Sequence, residues 1–218
     1  MRKAQLVLTA ALIAVLFAPA RVGAEETRTL VFFGDSLTAG YGLDDPANEA
    51  YPALIQRKID AGRLPWKVVN AGLSGDTTAA GLRRVDWVLR QPADLFVLAL
   101  GANDGLRGIP PEVTEANLRA IIGRVRARYP WATILLAGMR MPPNMGADYA
   151  RRFAALFPST AKEEHVELIP FLLEGVGGRP EYNQADGMHP NAAGHALIAD
   201  ALWPILRPHL ESRESSSK

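Results

Sequence analysis

The sequence predicts an α/β fold: a three-layer α/β/α sandwich with a central, mainly parallel five-stranded sheet, flavodoxin-like in plan. Three observations point there. Short apolar runs suited to buried strands recur at 30–33, 66–70, 95–100, 133–137 and, more weakly, 166–169. Segments with apolar residues at helical spacing lie between them. The connections are long, so the strands run parallel and are joined by right-handed helical crossovers.

The first strand sets the pattern. Leu30-Val31-Phe32-Phe33 is a continuous apolar run that stops at Gly34, with Asp35 and Ser36 following at once. Such runs suit strands covered on both faces. Residues 50–62 carry Leu54, Ile55 and Ile59 on one helical face, and 77–89 carry Leu82, Val85 and Leu89. Residues 111–128 place Val113, Leu118, Ile121, Ile122 and Val125 at the same spacing. In 147–164, Tyr149, Phe153, Leu156 and Phe157 form the apolar stripe, and Pro158 is expected to end or kink the helix. Residues 191–210 close the pattern with Leu197, Ile198, Leu202 and Ile205. The charged, Ser-rich end 211–218 is expected to fray.

The chain begins with Arg2 and Lys3, an uncharged apolar run from Leu6 to Ala18, and Val22-Gly23-Ala24 before two glutamates. This is the layout of a secretory signal peptide over 1–24. The run is short for a membrane span, which needs about 20 apolar residues, so an uncleaved anchor is the lesser alternative. The remaining 25–218 are read as one domain that is periplasmic or secreted, monomeric, and without stable membrane insertion after cleavage. Removing 1–24 takes away three basic residues and no acids. The basic count falls from 24 to 21 against 23 acids, and the net charge from +1 to −2. That balance argues against a nucleic-acid partner. With no cysteine, disulfides, thiolate metal sites, cysteine nucleophiles and lipid attachment at cysteine are excluded.

Four stretches carry chemistry. They are Gly34-Asp35-Ser36-Leu37, Asn70-Ala71-Gly72-Leu73-Ser74-Gly75-Asp76-Thr77, Gly101-Ala102-Asn103-Asp104-Gly105 and Asp186-Gly187-Met188-His189-Pro190-Asn191. The first three follow strands, and loops after parallel strands emerge at one sheet edge. The fourth precedes the last helix. A serine hydroxyl is a weak nucleophile without an adjacent base. His189 suits that role, and Asp186, three residues earlier, can turn back to its other ring nitrogen. Taken singly, Ser36 reads as a turn residue, Asp-x-x-His as a helix cap with a surface histidine, and Gly72 and Asn103 as loop and turn residues.

Together the four stretches resemble, in order, the signature blocks of the SGNH (GDSL) hydrolase superfamily, from about Thr29 to His195. Phe33-Gly34-Asp35-Ser36-Leu37-Thr38-Ala39-Gly40-Tyr41-Gly42 and Gly105-Leu106-Arg107-Gly108 are most similar to the periplasmic multifunctional acyl-CoA thioesterase I/lysophospholipase/arylesterase group. The resemblance implies an esterase acting on small-molecule acyl esters and thioesters. Its nucleophile would be Ser36, its Asp–His pair Asp186 and His189, and its oxyanion donors Ser36, Gly72 and Asn103, with no cofactor and no metal.

Other candidates stand beside these. Arg107 is a candidate for a substrate carboxylate or phosphate, and Met141 and Pro142 for an apolar wall. Asp35 and Asp104 are expected to brace loops, His195 to pack or cap, and His165 and His209 to lie at the surface. The alternatives are a carbohydrate O-acetyl esterase on the same scaffold and a metal-dependent phosphoesterase using Asp35, Asp76 and Asp104. A cofactor- or phosphate-binding module is disfavoured by the absence of a G-x-x-x-x-G-K-[ST] loop.

Overall fold

The structure, a computed structural model, describes residues 26–212. The segment 1–24, expected to be a signal peptide, and most of the expected frayed end lie outside the described residues.

Five strands form one sheet: β1 (Arg28–Gly34), β2 (Trp66–Gly72), β3 (Leu95–Ala99), β4 (Thr133–Ala137) and β5 (Glu167–Ile169). All pairings are parallel and the order is β2-β1-β3-β4-β5. Residues Leu30–Phe33 and Leu95–Ala99 are fully buried, as expected of strands covered by helices on both faces. In this strand order the direction of winding reverses between β1 and β3, and ligand crevices form outside the carboxyl ends of strands at such a point.

The helices are α1 (Ser36–Ala39), α2 (Pro46–Glu49), α3 (Tyr51–Ala61), α4 (Thr78–Val88), α5 (Ala102–Leu106), α6 (Pro111–Arg128), α7 (Ala147–Glu163) and α8 (Ala192–Glu211). The five long ones match the helical periodicities to within two residues. α1, α2 and α5 are too short to show a period, and the apolar pattern does not announce them. Of the end or kink expected at Pro158, the end does not occur: α7 runs through it to Glu163. Pro158 lies on the exposed face of α7, as Pro204 and Pro208 do on α8. The buried Phe153, Leu156, Phe157 and Ala161 pin the helix on both sides of the proline, so packing outweighs the lost backbone hydrogen bond.

Two polar residues fix how the first elements meet. Asn70, near the end of β2, donates from Nδ2 to the Thr38 carbonyl at 2.9 Å and accepts the Gly72 N–H on Oδ1 at 3.0 Å. Its amide therefore ties β2 to α1. A Cβ at Gly72 would come within 2.3 Å of the Ala39 nitrogen, so glycine is required there for the two backbones to approach.

Candidate active site

Ser36 opens α1, directly beyond the end of β1. Asp35 caps the helix by accepting the Leu37 N–H on Oδ1 at 3.0 Å. Below it, Thr38 Oγ1 and Tyr51 Oη share a buried hydrogen bond of 2.7 Å. The nucleophile's turn is thus held by the core.

The Ser36 hydroxyl lies 3.0 Å from His189 Nε2. On the other side of the ring, Nδ1 is 2.6 Å from Asp186 Oδ2. An ionised carboxylate only accepts, so Nδ1 carries the proton and Nε2 is left to accept from the serine. Asp186 Oδ1 also accepts the Met188 and His189 N–H groups, at 2.9 and 3.0 Å. The His189 hydrogen bonds, followed by that from Met188, hold the Asp186 carboxyl down at about 2.

The base loop is anchored by its neighbours. The Gln184 N–H donates to the His189 carbonyl at 2.8 Å. Its side-chain amide donates to the carbonyls of Tyr41 and Pro190 at 2.7 and 3.0 Å. The Tyr41 ring lies 4.7 Å from that of His189. Asn191 caps α8 by accepting the Gly194 N–H at 3.0 Å. The loop therefore ends on the mouth of a long helix.

The expected oxyanion donors differ in what they already hold. Gly72 pairs with Gly34 in the sheet, and its N–H is taken by Asn70. Asn103 Nδ2 donates to the Asp76 carbonyl at 3.0 Å and more loosely to Asp35 Oδ2 at 3.3 Å. Among the described residues, the Ser36 and Gly75 N–H groups make no hydrogen bond to protein. Gly75 has φ +84, with open space where a Cβ would stand. The Arg107 guanidinium fixes its peptide by donating to its carbonyl at 3.0 Å. Gly75 lies inside the second sequence block, but nothing in the sequence separates it from Gly72.

The three aspartates beside the site have separate partners. Asp35 is fully buried, and burial pushes its carboxyl up to about 7. Asp104 is also buried and accepts the Thr78 N–H and hydroxyl at 2.8 and 2.5 Å. Asp76 pairs with Arg84 Nε at 2.5 Å, and Arg84 Nη2 donates to the Gly34 carbonyl at 2.9 Å. Arg84 thus links the end of β1 to the loop after β2. Its distance in sequence from both gives no local signal of that role. Among the described residues no group of three or more acidic or histidine side chains is placed to hold a metal ion.

Of the remaining candidates, Met141 packs against Gly105 on α5, where an added Cβ would meet its sulfur at 2.1 Å. Pro142 is exposed one residue further. His165 is exposed, and His209 bonds Glu167 at 2.7 Å. His195 is buried, with Nδ1 accepting the Tyr51 N–H at 3.2 Å and its ring stacked on Tyr51. Burial pushes its imidazole down to about 4.

Comparison with known proteins gives this arrangement its setting. "Esterase TesA" of Pseudomonas aeruginosa is 40% identical over 185 residues, 84% of this chain and 90% of that protein. "Thioesterase 1/protease 1/lysophospholipase L1" of Escherichia coli K12 is 43% identical over 181 residues, 83% of this chain and 84% of that protein. The crystal structure of the psychrotrophic esterase EstA from Pseudoalteromonas sp., inhibited by monoethylphosphonate, superposes with a TM-score of 0.78. It is 33% identical and covers 85% of this chain and 100% of its own. The profile of the GDSL-like Lipase/Acylhydrolase family matches residues 32–197, and the chain belongs to that family.

Proposed function

We propose that the protein is a serine esterase that hydrolyses acyl ester and thioester bonds through an acyl-enzyme on Ser36. The observation that carries this reading is the unbroken series of hydrogen bonds from Asp186 through His189 to the Ser36 hydroxyl. Its relatives, an esterase and a thioesterase/protease/lysophospholipase by name, support both substrate classes.

His189 Nε2 takes the hydroxyl proton as Ser36 Oγ attacks the substrate carbonyl. The tetrahedral intermediate collapses, the carbonyl–heteroatom bond breaks, and His189 returns the proton to the departing alcohol or thiol. Water then repeats the sequence on the acyl-enzyme, releasing the acid and restoring the serine. Asp186 keeps the ring in the reacting tautomer and stabilises the imidazolium. The reacting groups are all protein side chains, and the reaction needs no cofactor.

For the oxyanion we assign the Ser36 N–H, the Asn103 amide and the Gly75 N–H. Gly75 replaces Gly72 in this role because the Gly72 proton is already bound to Asn70. The loose Asn103–Asp35 contact of 3.3 Å is the one exchanged when the oxyanion forms. We further propose a single catalytic domain after residue 24, exported to the periplasm behind a cleaved leader and active as a monomer.

The test is a panel of p-nitrophenyl esters and acyl-CoA thioesters of graded chain length. Turnover of both classes beyond short acyl groups is expected. Turnover of acetyl esters alone would support the carbohydrate O-acetyl esterase instead. Activity lost to a chelator and restored by a divalent metal would overturn the serine mechanism.

A further inference from the structure

The end of the molecule opposite the catalytic edge carries a surface that hydrolysis does not use. α4 and α6 begin near the catalytic edge and finish together at the other end. There the Tyr129 hydroxyl lies 3.0 and 2.8 Å from the carbonyls of Leu89 and Gln91. Trp87 and Trp131 stand out on this end, 68% and 60% exposed, more than any other large hydrophobic side chain among the described residues. The Trp131 ring packs against Tyr129 at 5.4 Å.

Arg83 and Arg90 lie four residues before and three after Trp87, Arg124 and Arg128 lie in the last turns of α6 with the Arg128 guanidinium 5.3 Å from the Tyr129 ring, and all four are exposed. Arg124 pairs with Asp86 at 2.7 Å. Among the described residues the other three have no acidic partner, as is also true of the exposed Arg57, Arg63, Lys67, Arg107, Lys162 and Arg179 elsewhere. Without 1–24 the chain has a net charge of −2. What sets this end apart is that three cations without an acidic partner share it with the two most exposed indoles.

We propose that this face docks on an anionic phospholipid surface. Indole rings, apolar with one polar N–H, settle at a membrane–water interface. Unpaired guanidinium groups bind phosphate oxygens and respond to the negative potential of an anionic leaflet. No helix among the described residues is long and apolar enough to cross a membrane, so the contact is peripheral. The strands run from this face toward the Ser36 edge, so docking leaves the catalytic mouth turned to the aqueous phase. The proposal does not depend on the hydrolase reading.

The test is co-sedimentation of protein, purified after expression of the full chain, with vesicles of phosphatidylcholine alone or mixed equally with phosphatidylglycerol. Binding to the mixed vesicles, weakened by salt, is expected, with little binding to phosphatidylcholine alone. Each substitution in the series Arg83→Gln, Arg90→Gln and Arg128→Gln lowers partition about fivefold, the equivalent of ~1 kcal/mol. Trp87→Ala with Trp131→Ala lowers it further. Turnover of a soluble p-nitrophenyl ester stays at the wild-type level in these variants and reports an intact fold. Absence of wild-type binding to the mixed vesicles would overturn the proposal, as would unchanged partition of the triple arginine variant. So would binding lost only when Leu73 and Met188, on the catalytic rim, are replaced.

Discussion

The turn that carries Ser36 and the loop that carries His189 hold their residues by different means. The first is buried: Asp35 and Thr38 are inaccessible, and the turn rests on Tyr51 and the sheet. The second lies at the surface, with the side chains of His189 and Asp186 20% and 35% exposed, and is stiffened by its own hydrogen bonds. The two aspartates show the contrast in one functional group. Burial raises the carboxyl of Asp35 to about 7, while hydrogen-bond donors lower that of Asp186 to about 2. A nucleophile tolerates burial because it reacts along one line. A base that must meet both a leaving group and water works better near solvent. Changes at the loop should therefore cost rate with little stability, and changes at the buried turn should cost both, except where only the reacting oxygen is removed.

Ser36→Ala is that exception and gives the largest expected effect. Turnover falls by about 10⁶-fold, as in other serine triads, with the melting temperature nearly unchanged because the Asp35 cap remains. Asp186→Asn comes next, at about 10⁴-fold in kcat, since the ring loses its enforced tautomer. Circular dichroism melting should show little loss of stability for this exposed residue. Asn103→Ala follows, with a loss of about 10²–10³-fold in kcat and a small change in KM, the signature of a donor used only in the transition state. A rise in kcat in Asn70→Ala, which frees the Gly72 N–H, would reverse the assignment of Gly75 over Gly72.

The smallest effects are in the pH dependence of stability. Asp35 binds its proton more tightly folded than unfolded, so its contribution is largest below 3.8 and is lost as pH rises toward 7. His195 binds its proton less tightly folded, so its contribution is present above 6.5 and is lost as pH falls toward 4. The two slopes oppose each other between about 4 and 6.5. Melting temperatures measured across this range should rise more steeply with pH in Asp35→Asn and less steeply in His195→Gln.

β1, β3 and β4 were legible because their buried runs are continuous in apolar residues, β2 and β5 less so because Lys67 and Glu167 interrupt runs that are only partly buried, and the long helices because their apolar stripes keep one period. Of the end or kink expected at Pro158 the end does not occur, because the proline's exposure on α7 is a property of packing, not of local sequence. The short α1, α2 and α5 carry no period at all. Within the site, the block order gathered Ser36, Asp186 and His189, and the expectation that Asp35 and Asp104 brace loops agrees with their hydrogen bonds. The choice between Gly72 and Gly75 was beyond reach, because it turns on where the Asn70 side chain points. The Tyr41 ring over His189 and the Arg84 link to Gly34 are likewise long-range contacts without a local signature.

Intact-mass measurement and peptide mapping after treatment with a p-nitrophenyl alkylphosphonate test the central claim most directly. One phosphonyl group on the peptide containing Ser36 is predicted, forming far more slowly in Asp186→Asn and not at all in Ser36→Ala. Labelling at another residue, or undiminished labelling of the Ser36→Ala protein, would contradict the account.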